Sequence, residues 1–230
     1  MGVIDPTRTK TLRVQYSRQL VKLYTRFRVS IQQPIMDVLN RVSNPYIDIE
    51  HILDLYLARE VLHPVSPIIS MNLRLGYRRG LRMAEGQLTR LQAEFTFVDE
   101  EALRLLEMNN LVLVKGVNGE MKKEMMRHLT DGLNNGWGIK KIVRSMNNPV
   151  ETVGKHRATV IARTEIVRAC NTAAMNRYKA NGVEMWQWLS AIDPRTCEEC
   201  ARLDGSVFRW GDREIPPLHP QCRCNITPYK

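Results

Sequence analysis

At 230 residues the chain is long enough to bury a sizeable core in one domain or two. Its 43% hydrophobic and 25% charged content excludes wholesale disorder, and no apolar run approaches the length of a membrane span. Thirty-four Lys and Arg stand against 24 Asp and Glu, a net charge of +10. That balance favours an acidic partner, either nucleic acid or an acidic protein patch, although the charge is spread along the chain and forms no single DNA-binding arm.

The opening residues, Met1 to Pro6, carry no apolar signal-peptide core. Pro6 stands where myristoylation wants Ser or Thr. Synthesis in a reducing cytosol is therefore expected, where clustered cysteines serve more often as metal ligands than as disulfides.

Residues 8 to about 150 read as mostly helical. From Arg13 to Val29, Val14, Leu20, Val21, Leu23, Tyr24 and Phe27 fall at helical spacing, and Gln33-Pro34 interrupts or restarts the helix. Asn44-Pro45 marks a turn, and Asp48 is placed to cap a helix through Ile52, Leu55, Tyr56 and Ala58. The two prolines of His63-Pro64-Val65-Ser66-Pro67 predict a stop and a bend. A long helix is expected from Ile68 to Phe95, carrying Arg74, Arg78, Arg79, Arg82 and Arg90. Gly76, Gly80 and Gly86 inside it imply either close helix packing or a bendable helix, because each costs about 1 kcal/mol against alanine.

Asp99-Glu100-Glu101 suits the start of another helix, with an end expected at Lys115-Gly116. Asn118 would then cap a further helix through Met121, Met125, Met126 and Leu129, a spacing typical of core. Asn134-Asn135-Gly136 is a stop signal. A short basic amphipathic helix follows through Ile139, Ile142, Val143 and Met146, closed by Asn148-Pro149. His51, His63, His128 and His156 are scattered and suggest no catalysis.

Residues 155 to 181 form the strongest helical pattern. Val160, Val167, Cys170 and Ala174 make its apolar stripe, and Asn181-Gly182 ends it. Glu165 and Arg168 are spaced to pair. Arg163 and Asn171 lie where they would meet the following small module. Cys170, alone on the apolar stripe, reads as a core thiol.

Beyond this helix, residues 184–191 alternate as a strand, Leu203-Asp204-Gly205 turns, Val207 to Trp210 is a second strand, and Ile215 to Leu218 is extended. Four of the five cysteines and one histidine gather in this short tail, as Cys197-x-x-Cys200 and His219-x-x-Cys222-x-Cys224. Eighteen residues separate Cys200 from His219, which is the spacing of a tetrahedral zinc site. Five candidate ligands exceed four places, and spacing does not choose between His219 with Cys222 and Cys222 with Cys224. Disulfides formed after release from the cell are the alternative. A tail of about 45 residues with few apolar side chains needs such a staple. No Glu or His is spare as a general base, so the zinc reads as structural rather than catalytic.

These pieces define an α+β chain, mainly α: a long helical amino-terminal region, then a helix and a small zinc-stabilised, β-containing carboxy-terminal module. The expected division is a variable helical arm over 1–115 and a domain over 116–230, with 184–230 as the Cys/His module. The run Ala162-Arg163-Thr164-Glu165, then Asn171 and Ala174, then Asp193-x-Arg195-Thr196-Cys197-x-x-Cys200, Leu203-Asp204-Gly205 and Pro217-x-His219-Pro220-x-Cys222-Arg223-Cys224 resembles the Mu F-like phage head morphogenesis family of minor capsid proteins. The resemblance covers roughly residues 120 to 228.

That resemblance implies a non-enzymatic structural protein of a tailed phage or prophage. Its partners would be the portal and capsid or scaffold components, with non-specific DNA contact besides and no membrane. It would lie in the inner head near the portal, assemble in the host cytoplasm, and act in head assembly, DNA packaging or ejection. Two other classes compete: a free zinc-module nucleic-acid binder, and a nuclease or toxin-like effector using Arg163, Glu165, Asp193, Asp204 and Asp212. No His–carboxylate constellation favours the latter, and the end at Lys230 argues against an appended enzyme.

Overall fold

The computed structural model of the chain describes residues 6–88 and 98–229. It is mainly helical with one small sheet, the α+β, mainly α architecture expected. In order the elements are α1 (Lys10–Ser30), α2 (Gln32–Arg41), α3 (Tyr46–Leu57), α4 (His63–Gln87), α5 (Glu100–Asn134), α6 (Ile139–Met146), α7 (His156–Ala180), β1 (Met185–Leu189), α8 (Glu198–Leu203), β2 (Val207–Arg209) and β3 (Asn225–Tyr229). Two compact units are drawn from discontinuous stretches. One comprises the described residues within 1–16, 69–109 and 160–230, and the other comprises Ser17–Ile68 and Asn110–Thr159. No helix among the described residues is long and apolar enough to cross a membrane.

The second unit is helical throughout. Its core is built by stripes at three- and four-residue spacing: Leu20, Leu23, Tyr24 and Phe27 of α1, Ile49, Leu53 and Leu57 of α3, and Val117, Met121, Met125 and Leu129 of α5. Met121 and Met125 are core, as their spacing implied, whereas Met126 is only half-buried. Three breaks predicted from composition are absent. The stop at His63 to Pro67 is replaced by a π-helical turn, Ala58–Leu62, running straight into α4. Pro64 and Pro67 both lie within this continuous helical run.

Lys115-Gly116 does not end a helix either, since α5 runs unbroken for 35 residues. The buried series Val114, Val117, Met121 continues across Gly116, and its packing outweighs a glycine penalty of about 1 kcal/mol. Asn118 therefore caps nothing; its Oδ1 accepts a hydrogen bond from the Tyr24 hydroxyl at 2.8 Å. Nor does Asn148-Pro149 separate helices, because the π-helical turn Val150–Lys155 leads directly into α7. Asp48 sits in the first turn of α3 without capping it.

Other start and stop signals hold. Asp99 Oδ1 accepts from Ala102 N at 2.9 Å and caps α5. Gly182, at φ +71°, ends α7: its N–H donates to Lys179 O and that of Val183 to Tyr178 O, the paired bonds of a Schellman cap. The part of the expected Ile68–Phe95 helix beyond Leu88, including Arg90, lies outside the described residues.

In the first unit α4 packs on α7 through glycines. A Cβ on Gly76 would stand 3.4 Å from the Ala169 Cβ, and one on Gly80 would stand 2.8 Å from the Cys170 carbonyl carbon and 2.9 Å from the Ala173 Cβ. Of the two readings of these glycines, close packing is the one the fold adopts. Cys170 is fully buried on that contact. After α7 comes a three-stranded antiparallel sheet of order β2-β1-β3. Trp186 and Trp188 of β1 point into the core, beside Tyr178, Cys200, Cys222, Cys224 and Ile226. The strand β3 and the helical turn α8 have no counterpart in the sequence reading. Pro228 falls in β3, an edge strand that can omit a backbone donor.

Candidate metal centre

Cys197 is the N-cap of α8, and its Sγ accepts the Cys200 backbone N–H at 3.4 Å. One helical turn thus sets both sulfurs of Cys-x-x-Cys on one side. The second group is aimed by the chain reversal at Gln221, which has φ +63°, with Cys222 N bonded to His219 O. The helix α7 holds this reversal. Thr164 Oγ1 accepts from Gln221 N at 2.9 Å, and Arg163 Nη1 donates to Gln221 Oε1 at 3.0 Å. Buried Asn171 donates to both Pro216 O, at 3.0 Å, and Cys224 O, at 3.1 Å. Arg163 and Asn171 therefore meet the module as their positions on the helix implied. Glu165 pairs with Arg168 at 3.2 Å, and burial of its carboxyl raises the Glu165 pKa against the pull of Arg168.

All five candidate donors come together. His219 Nε2 lies 3.4 Å from Cys197 Sγ and 3.3 Å from Cys200 Sγ, and Cys200 and Cys222 Sγ are 3.9 Å apart. With bonds of about 2.3 Å to sulfur and about 2.0–2.1 Å to nitrogen, the edges of a zinc tetrahedron are about 3.8 Å (S···S) and about 3.5 Å (S···N). The three observed separations match those edges. No disulfide joins the described cysteines. The cavity lined by the cluster is about 20 Å³, room for one ion. Two overlapping groups could hold a metal ion, Cys197 with Cys200 and His219, and Cys200 with Cys222 and Cys224; Cys200 is common to both.

Hydrogen bonding distinguishes Cys224 from the rest. Ser190 Oγ lies 2.7 Å from Cys200 O, an acceptor only, so the single hydroxyl proton is donated there. The same oxygen accepts Trp188 Nε1–H at 3.0 Å. It also lies 3.4 Å from Cys224 Sγ. The hydrogen bond to Cys222 and burial both push the Cys224 pKa upward. The same bond, received by Cys222, brings that thiol down to about 5. The Cys200 backbone N–H lowers Cys197, whereas burial raises Cys200 to about 12. For His219, burial works downward, but the Pro220 carbonyl and the neighbouring thiolates prevail and raise it.

One ion pair, which the sequence reading missed, locks the two halves together. The Asp193 carboxylate, on a side chain 3% exposed, accepts from both guanidinium nitrogens of Arg223 at 2.6 Å and from Arg195 Nη2 at 2.7 Å. Asp193 precedes the first cysteine pair, and Arg223 sits between Cys222 and Cys224. The only sequence signal was one charge of each sign flanking the two groups. The bonds from Arg223 and Arg195 hold the Asp193 carboxyl well below the usual carboxylate range. Its contribution is thus fully present above the unfolded-state pKa of about 3.9 and disappears as pH falls below it. Asp193→Asn is expected to lower the melting temperature at pH 7, and the gap from the unmodified chain should narrow below about pH 4. A gap constant with pH would refute this linkage.

A helical body whose Cys/His tail is fastened to α7 around an ion-sized cavity defines a class: a helical protein closed by a metal-type clasp. Residues 123–227 match the family described as Phage Mu protein F like protein. Over that segment the chain is similar to members of this family. It is also similar to an uncharacterized protein, MJ0329, of Methanocaldococcus jannaschii, with 23% identity over 135 residues, 58% of this chain and 21% of that protein. The chain thus spans about a fifth of the length of that curated relative. No solved structure matches this chain.

Proposed function

We propose that this chain is a minor head protein of a tailed phage or prophage. In this reading it has a non-enzymatic role at the portal and inner capsid, in head morphogenesis and DNA packaging or ejection. One observation carries it: the family's motif residues are engaged with one another. Arg163, Thr164 and Asn171 bind the backbone and side chains around the second Cys/His group, and the clustered donors line a cavity of about 20 Å³. Residues occupied in this way serve as a clasp.

The ion is zinc, held by Cys197, Cys200, His219 and Cys222, with Cys224 as a hydrogen-bonded thiol beside it. The S₃N donor set and the tetrahedral separations support zinc. Bound there, it would join the two Cys/His groups of a tail too small to hold itself by apolar burial. Partner choice falls to the arm over residues 1–115, and the domain over 116–230 supplies the shared scaffold. The test is genetic. Deleting the gene from its phage should leave coat protein accumulating while infective particles fall by orders of magnitude. Full titre without the gene would overturn the assignment.

A further inference from the structure

A cleft of about 590 Å³, away from the Cys/His cluster's ion-sized cavity, is lined by Arg8, Arg79, Arg82, Gln87, Ser190 and Asn225 among others. No acidic residue lines it among the described residues. Arg79 and Arg82 are three apart on α4, a spacing that sets like charges side by side. Neither they nor Arg8 forms an ion pair among the described residues. The Arg79 Nε is buried without an acceptor. Arg8 reaches the cleft from a left-handed backbone conformation, φ +49°, which a non-glycine residue adopts at a cost.

The cleft wall carries a second unmet group. Asn225 is 1% exposed. Its amide nitrogen donates to the Met83 sulfur at 3.0 Å, and its Oδ1 has no donor. A second basic cleft, beside His219, is different: there Arg195 and Arg223 are already paired with Asp193.

We infer that the Arg8–Arg79–Arg82 cleft is a binding site for a phosphate ester, with the arginines on the phosphate and Asn225 Oδ1 accepting from a hydroxyl or N–H of the attached group. Guanidinium groups match phosphate oxygens in a bidentate geometry that ammonium groups cannot reproduce. The volume lies within the usual range of small-molecule sites, roughly 300–1,000 Å³, and a lone phosphate would leave most of it filled with water. A nucleotide unit fits the chemistry, whether it is free or part of a nucleic acid.

Three probes separate the sources: inorganic phosphate, deoxyadenosine monophosphate and mixed-sequence duplex DNA. Each is titrated against the full chain with metal bound, by calorimetry or anisotropy over a range of salt. Arg79→Gln with Arg82→Gln is expected to weaken the bound probe at least tenfold while metal content stays unchanged. Lys115→Gln, an exposed charge elsewhere, should have little effect. For DNA, the slope of log K against log salt should flatten by about 0.9 for each phosphate that is no longer neutralised. Asn225→Ala should weaken the nucleotide and leave inorganic phosphate unaffected, and Arg8→Gln provides a second variant on an exposed residue if the double substitution fails to fold.

Binding of the free nucleotide alone identifies a small-molecule site, and a flattened DNA slope identifies the nucleic-acid backbone. Absence of binding to all three probes would overturn the inference. So would equal weakening in the Lys115 variant, or polyglutamate binding as tightly as DNA.

Discussion

Replacing Cys200 with serine is expected to empty the metal centre and release the tail from about β1 onward, while Cys224→Ser keeps its ion. Cys200 is the one donor common to both groups that could hold a metal, so without it each group is left with two donors. Structural zinc contributes on the order of 10–16 kcal/mol of apparent binding free energy in small modules, comparable with the whole stability of about 5–15 kcal/mol of a typical domain. The loss should therefore appear as local unfolding. Zinc stoichiometry and tryptophan fluorescence together measure it, because Trp186 and Trp188 pack in the same core cluster as Cys200 and Cys222.

Serine at position 224 can still meet the Ser190 hydroxyl, and as a non-ligand it should cost little metal. Equal loss of zinc from the two variants would refute the assignment of Cys224, and full retention in Cys200→Ser would refute the centre itself. A chelator applied to the unmodified chain should reproduce the Cys200→Ser fluorescence change, and added zinc should reverse it.

The second large effect is expected at the α4–α7 contact. Gly80→Ala places a methyl 2.8 Å from the Cys170 carbonyl carbon and 2.9 Å from the Ala173 Cβ. The first is backbone and the second a Cβ, so neither can rotate away. The helices must separate, at a cost of roughly 1–3 kcal/mol or more for overpacking. Gly86 lies on the same helix with nothing within 4 Å of the added carbon, and Gly86→Ala should stabilise by up to about 1 kcal/mol through helix propensity alone. For a chain of this length each kcal/mol moves the midpoint by roughly 2–4 °C, so the two substitutions should shift thermal unfolding in opposite directions. A Gly80→Ala chain that melts at or above the unmodified temperature would refute the close-packing account.

Much of the site was legible in the sequence because its geometry is local. Cys-x-x-Cys spans a single turn, and the Asn181-Gly182 cap and Asp99 start depend only on adjacent backbone. The failures share a cause. Pro64 and Pro67, Lys115-Gly116 and Asn148-Pro149 are breakers by propensity, yet each lies in a segment whose buried stripe continues across it. Packing of Val114, Val117 and Met121, or a widened π turn, outweighs a penalty of a few kcal/mol at most. Strand β3 was missed because Asn225–Tyr229 is a strand only through its pairing with β1, and that partner lies some 40 residues earlier in the chain.

The sequence by itself determined the class of fold, the five candidate donors, the end of α7 and the order of the motifs, since these follow from spacing along a single segment. Only the tertiary structure decided the rest. It showed that Gly76 and Gly80 admit a neighbouring helix and that Asp193 and Arg223 tie the two Cys/His groups together. It also brought Ser190 Oγ against both Cys200 O and Cys224 Sγ, beside the candidate ligands. Each of these depends on which groups meet across the fold, and a hydrogen bond has a direction that residue spacing does not encode.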